Sequence, residues 1–261
     1  MNSKPFFFIK FIIAFVIIAF VFVNLYALAV YRNYLFAPPG KVSSAMPVKL
    51  PSLATVYGNV SYVYYDNYTN GYTVLLSHGN AVNLEMMRQE IEQYRKAGFN
   101  VMAYDYNGYG QSTGRPSVTA ILADISAVYR YLTKFRKVRS SSIILVGHSL
   151  GTAPSSYLAS KERVKGVVLV SPFLSVFRAI LPSKRSWFFF DPLNNQKWVH
   201  QINVPLAIIH GTNDKVISYR SGKLLFESAN KPKLFMPVKG RGHNDIPWED
   251  RLKALNWVIS R

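Results

Sequence analysis

Ile143-Ile144-Leu145-Val146-Gly147-His148-Ser149-Leu150-Gly151 is the stretch whose reading decides how this chain folds. Four apolar residues, three of them β-branched, read as a buried strand and run straight into Gly-His-Ser-Leu-Gly. A helix-compatible segment follows. Between a strand and a helix, the G-x-S-x-G pattern marks a nucleophilic serine at a very sharp turn. Such a turn strains the backbone at the serine and presses strand and helix together, so the residues two positions to either side must be small. Gly147 and Gly151 supply that room. The five-residue pattern by itself occurs by chance, and its weight comes from what surrounds it.

Working outward, strand and helix signals alternate on both sides. Residues 56–65 alternate in strand fashion, and the polar turn at 66–71 predicts a hairpin with a strand over 72–77. A helix is expected over 84–97, ending at Gly98, and a short apolar strand over 99–104. The glycine-rich loop Asp105-Tyr106-Asn107-Gly108-Tyr109-Gly110 leads to an amphipathic helix over 118–135. After the central strand come a helix over 150–159 and a strand over 164–170. Residues 172–203 break the rhythm. Beyond them a strand is expected over 206–209, a helix over 221–229, a strand over 233–238 and a helix over 246–259. Apolar strands separated by helices imply an α/β fold with a mostly parallel sheet covered on both faces. Ligands of such sheets sit beyond the carboxyl ends of the strands.

Three residues in the order Ser149, Asp214, His243 each follow an expected strand and can converge at that edge. Asp214 closes His210-Gly211-Thr212-Asn213-Asp214, and its expected role is to hold an imidazole in the correct tautomer. His243 lies in the loop Lys239-Gly240-Arg241-Gly242-His243-Asn244-Asp245. It would take the serine proton and return it to the leaving group, worth roughly 10²–10⁴-fold in rate. The other acids between serine and histidine fit less well: Asp191 precedes a proline in the irregular insert and Glu227 falls inside a helix. His78, His148, His200 and His210 are weaker choices for the base. In Ser77-His78-Gly79-Asn80-Ala81, a glycine lets the backbone turn an amide toward a developing oxyanion. The expected donors are the backbone N–H groups of Asn80 and Leu150.

Together these residues resemble the α/β-hydrolase superfamily over residues 55–261. The matches are HGN at 78–80, YDYNGYGQSTG at 104–114, GHSLG at 147–151, HGTND at 210–214 and GHND at 242–245. The set most resembles compact, membrane-anchored serine hydrolases related to protein depalmitoylases and monoacylglycerol lipases. That resemblance implies cleavage of an ester, thioester or amide through an acyl-enzyme. Ser149, Asp214 and His243 would form the triad, and neither a metal nor an organic cofactor is implied. The loop at 104–114 would help to wall the site. The insert at 172–203 is shorter than many lipase lids and would form a small cap. It is rich in aromatics (Phe173, Phe177, Trp187, Phe188, Phe189, Phe190, Trp198), with Arg178, Lys184 and Arg185 expected at its basic edges.

The amino-terminal region supplies the remaining expectation. Residues 11–30 are apolar but for Asn24, and 20 residues of helix span roughly 30 Å, the thickness of a bilayer's hydrocarbon. The expected organisation is a membrane anchor over 1–32, a proline-containing linker over 33–50 and a hydrolase domain over 51–261. A cleaved signal peptide is the alternative, since Ala27-Leu28-Ala29 resembles a cleavage site, but the run exceeds the usual ~7–15 apolar residues. Basic residues flank the run almost evenly, so orientation stays open. Net charge is +18, from 31 basic and 13 acidic residues. The positives are dispersed and no zinc-finger or RNA-binding motif accompanies them, which argues against nucleic acid. Cysteine is absent, excluding disulfides and thiolate chemistry. The leading expectation is a membrane-anchored serine hydrolase acting on an ester or thioester with a lipophilic acyl group, free or carried by a protein. Amide or peptide cleavage on the same residues, and an inactive binding module of the same fold, are the alternatives.

Overall fold

The computed structural model describes residues 4–39, 49–66, 71–180 and 190–261. Its centre is an eight-stranded sheet. The strands are β1 (Ser52–Ala54), β2 (Asn59–Tyr65), β3 (Thr73–Ser77), β4 (Asn100–Tyr104), β5 (Ile143–His148), β6 (Gly166–Val170), β7 (Leu206–Gly211) and β8 (Lys233–Val238). Their order across the sheet is β1-β2-β4-β3-β5-β6-β7-β8. From β4 to β8 every neighbouring pair is parallel, and only β1 and β2 at one edge run antiparallel.

Alternate residues of the central strands feed two separate cores. Ile143 and Leu145 of β5 face one side, and Ile144 and Val146 the other; all are buried. Against the first face pack α3 (Val118–Arg130), α4 (Thr152–Ala159), α6 (Asn195–Val199) and α7 (Tyr219–Ser228). Against the second lie α2 (Arg88–Lys96) and α8 (Trp248–Ile259). Each fully buried aliphatic side chain contributes about 1.5–3 kcal/mol of transfer free energy. A parallel strand buried on both faces collects this along its whole length.

The expected hairpin between 56–65 and 72–77 does not form. β2 pairs with β4, Tyr62 opposite Tyr104, while β3 lies between β4 and β5. All five β3 residues are buried, so both its faces and both its edges are taken by the sheet interior. The helices α2 and α8 also start later than expected. α2 begins at Arg88 because side chains satisfy the preceding turn: Asp105 Oδ1 accepts the Leu84 N–H (2.9 Å) and Asn83 Oδ1 that of Met86 (3.1 Å). α8 begins at Trp248, after Pro247, because a residue preceding proline is disfavoured in helical conformation.

The amino-terminal helix, α1 (Lys4–Leu35), outruns the expected apolar stretch at both ends. Its segment Phe8–Ala27 is long and apolar enough to cross a membrane, and its large side chains are exposed. The Asn24 amide donates to the Phe20 carbonyl one turn back (2.9 Å), which satisfies it within the helix. Leu35 and Phe36 pack on the first core, so the stretch expected as a linker begins docked; residues 40–48 lie outside the described residues.

The insert expected as a cap contributes α5 (Val176–Ile180) and α6, while residues 181–189, with Lys184, Arg185, Trp187, Phe188 and Phe189, lie outside the described residues. Phe173 is buried and Trp198 packs edge-on against Tyr157. Arg178 is not at a basic edge. It is buried, pairs with Asp191 at 3.1 Å, and also donates to Ser175 and Gln196. A buried guanidinium within the insert needs such partners, and its spacing among aromatics could not reveal them.

Candidate active site

At the end of β5 the backbone turns so sharply that Ser149 takes φ = 51°, a left-handed conformation that costs a non-glycine residue of order 1–3 kcal/mol. The surroundings hold it there. Thr152 Oγ1 donates to the Ser149 carbonyl at 2.6 Å as the chain enters α4. A Cβ on Gly147 would meet the Gly151 carbonyl carbon at 2.7 Å, and one on Gly151 would drive into the Ser77 carbonyl and lie 2.7 Å from the His78 oxygen. Strand, turn and β3 therefore touch through bare backbone.

Three loops beyond the carboxyl ends of β5, β7 and β8 bring the predicted residues together. His243 Nε2 lies 2.8 Å from Ser149 Oγ, and His243 Nδ1 lies 2.7 Å from Asp214 Oδ2. A carboxylate oxygen only accepts, so Nδ1 carries the hydrogen and the neutral ring presents Nε2 as acceptor to the serine hydroxyl. Asp214 is fixed in turn: its Oδ1 accepts the N–H groups of Val216 and Ile217, each at 2.8 Å. Burial alone would raise the Asp214 carboxyl. Hydrogen bonds from His210, His243 and the Ile217 N–H outweigh it and hold the group well below the usual carboxylate range. The charge is therefore permanent at physiological pH.

The rest of the pocket is also ordered by hydrogen bonds. The loop after β3 brings Gly79 so close that a Cβ there would stand 3.5 Å from Ser149 Cβ. Tyr106 donates to the His78 carbonyl at 2.6 Å, and the His78 and Tyr106 rings lie 4.2 Å apart. The tyrosine-rich stretch at 104–114 thus packs against this loop through Tyr106. A cavity of about 230 Å³ opens beside it, bordered by Gly79, Val82, Met86, Met87, His148 and Asn244.

A model of the α/β-hydrolase fold matches residues 72–196. Alpha/beta hydrolase domain-containing protein 17B of Homo sapiens is 39% identical over 192 residues, covering 73% of this chain and 67% of that protein. Protein 17C of the same series from Mus musculus is 38% identical over 191 residues, covering 72% and 60%. The chain belongs to the α/β-hydrolase family. Among solved structures, an esterase of Pyrococcus furiosus superposes with a TM-score of 0.69 at 18% identity, over 87% of this chain and 97% of that one. A monoacylglycerol lipase of Paleococcus ferrophilus gives 0.60 at 21% identity, over 77% and 98%. These two likenesses establish the fold.

This α/β-hydrolase site holds residues that sequence reasoning set aside. His210 is completely buried, and its Nε2 lies 3.0 Å from the Ile217 carbonyl and 3.3 Å from Asp214 Oδ2. It braces the same carboxylate oxygen that faces His243. The four-residue spacing of His210 and Asp214 around a glycine turn was the available signal. His148 donates from Nε2 to the His243 carbonyl (3.1 Å). Burial, then the positive charges of Arg251 and of His243 when protonated, lower its pKa to about 3, so the ring stays neutral and holds the histidine loop. Asn80 is the third. Its side chain, unconsidered in the sequence, bonds to residues 35 and 37 at the end of α1.

Proposed function

We propose that this α/β-hydrolase is a membrane-anchored serine hydrolase that cleaves carboxylic esters or thioesters of lipophilic acyl groups. The observation that carries the reading is the unbroken chain Ser149–His243–Asp214, with contacts of 2.8 and 2.7 Å. Ser149 Oγ attacks the carbonyl carbon while His243 Nε2 takes its proton. Asp214 holds the imidazole in orientation and stabilises the imidazolium. The backbone N–H groups of Asn80 and Leu150 bind the negative oxygen of the tetrahedral intermediate, and one such donor is worth about 3–4 kcal/mol. The intermediate collapses to the acyl-enzyme as His243 returns the proton to the departing alcohol or thiol. Water, deprotonated by the same histidine, then releases the acid and restores Ser149.

Two features support the lipophilic substrate. The cavity bordered by Gly79 and His148 carries Val82, Met86 and Met87, an apolar strip that supports an acyl chain, beside the polar Glu90, Asn244 and Arg251. The exposed apolar length of α1 is long enough to cross a bilayer, which supports a membrane setting in which such chains are available.

A fluorophosphonate probe tests the reading on the full chain in detergent. Wild type labels at Ser149 and Ser149→Ala does not; a folded wild type that stays unlabelled refutes it. Turnover of nitrophenyl esters of rising acyl length against peptide amides tests the bond cleaved. Faster amide cleavage would replace the ester assignment.

A further inference from the structure

The end of the apolar helix is stitched to the loop that follows β3. Asn80 Nδ2 donates to the Leu35 carbonyl at 2.9 Å, and Asn80 Oδ1 accepts the Ala37 N–H at 2.9 Å. The Tyr109 hydroxyl donates to the same Oδ1 at 2.6 Å. One amide therefore engages a carbonyl and an N–H two residues apart, as a neighbouring strand would. The partners fix which way the amide points, because the helix end offers an acceptor on one side and a donor on the other.

The sequence explains why the helix needs this partner. The Tyr34 and Leu35 carbonyls would ordinarily bond to the N–H groups four residues on, but those positions are Pro38 and Pro39, which have none. α1 must stop, and the Leu35 carbonyl must find its donor elsewhere. It finds Asn80. Leu35 and Phe36 meanwhile pack on the first core, so the segment is fixed by apolar contact as well as by hydrogen bonds.

We infer that residues 35–37 are a working part of the catalytic site: through the Asn80 side chain they set the position of the Asn80 backbone N–H. The inference rests on that N–H being an oxyanion donor. A side chain held at its tip by three hydrogen bonds leaves its own Cα and peptide little freedom. An oxyanion donor acts only when pre-aimed at the charge that develops. Asn80 is thus a positioning residue whose side chain carries the anchor's end to the reacting carbonyl. Tethering and catalysis share one residue.

The test uses the full chain in detergent micelles with a short, water-soluble nitrophenyl ester, so that delivery through a membrane does not limit the rate. Asn80→Ala keeps the backbone N–H and removes all three side-chain bonds. Because misplacing a catalytic group by an ångström can cost about 10²-fold, kcat should fall by about 10–100-fold, with KM changing less than about 3-fold. The rate of labelling by a fluorophosphonate should fall in parallel. Asn80→Asp retains the acceptor for Ala37 and Tyr109 and should recover part of kcat. Ala37→Pro deletes a single N–H outside the loop and should move kcat in the same direction, which decides the matter if Asn80→Ala does not fold. Lower melting temperatures with kcat within about 2-fold of wild type in both variants would make the contact purely structural and overturn the inference. A wild type that neither turns over the ester nor labels would instead refute the hydrolase reading.

Discussion

Replacing Asp214 with asparagine alters one atom, and the structure dictates which way the new amide must face. Oδ1 accepts two backbone N–H groups, from Val216 and Ile217. Turning the amide nitrogen toward them would set donor against donor twice, at about 1–3 kcal/mol for each buried group left unpaired. The amide nitrogen must therefore take the place of Oδ2 and face His243 Nδ1. A donor there forces Nδ1 to become the acceptor and moves the ring hydrogen to Nε2, which points at Ser149 Oγ. The histidine then offers the serine a proton rather than taking one. Loss of the correct tautomer costs on the order of 10⁴-fold in kcat, or about 5.5 kcal/mol of barrier. Acyl-ester turnover by the full chain measures this directly, and circular dichroism shows whether the fold persists. A folded Asp214→Asn protein within about 10-fold of wild type would refute the tautomer argument and remove Asp214 from the proposed triad.

Three further expectations concern the supports of the site. Gly151→Ala places a methyl group against the Ser77 and His78 carbonyls, so β3 and the nucleophile turn must part. Overpacking of this kind costs about 1–3 kcal/mol, with a larger proportional loss of activity than of stability; a variant melting and turning over like wild type would contradict the close approach. Arg178→Ala leaves the buried Asp191 carboxylate without its counter-charge and should cost about 3–5 kcal/mol in chemical denaturation, whereas a change below about 1 would show the pair to be dispensable. The Asp214 carboxyl titrates lower in the folded protein than in the unfolded chain, so the unfolded chain binds more protons as pH falls. Its contribution is fully present above about pH 5, well above the unfolded carboxyl pKa, and fades below it. The stability difference between wild type and Asp214→Asn should shrink from pH 5 downward, and a constant difference would contradict the depressed value.

The parallel core was legible because strands buried on both faces must be nearly continuous in apolar residues. β5, β6 and β7 are such strands, and their carboxyl ends follow from their limits in the sequence. The antiparallel edge was not legible. The alternation in β2 and the polar turn after it describe a hairpin as well as they describe an edge strand, and only the claim of β4 and β5 on both sides of β3 decides between them. Ser149, Asp214 and His243 could be located because each follows a recognisable strand. His210 and Asn80 were partly hidden for a common reason. Their roles lie in where the tip of a side chain ends, which depends on partners four residues away in one case and more than forty in the other. Arg178 was misread because a basic residue among aromatics looks like a surface edge until a carboxylate is found beneath it.

The left-handed backbone at Ser149 also limits which chemistry this turn can host. At φ = 51° a side chain branched at Cβ collides with its own backbone, whereas an unbranched one is tolerated. Threonine, though it carries the same hydroxyl, is therefore excluded at this position on shape alone. Cysteine has the required outline and would exchange oxygen for sulfur without moving the chain. Aspartate, also unbranched at Cβ and more at ease in this region, fits as well and would attack as a carboxylate. The menu of nucleophiles open to the turn is thus set by a dihedral angle, and selection among them falls to the groups that face the reacting atom.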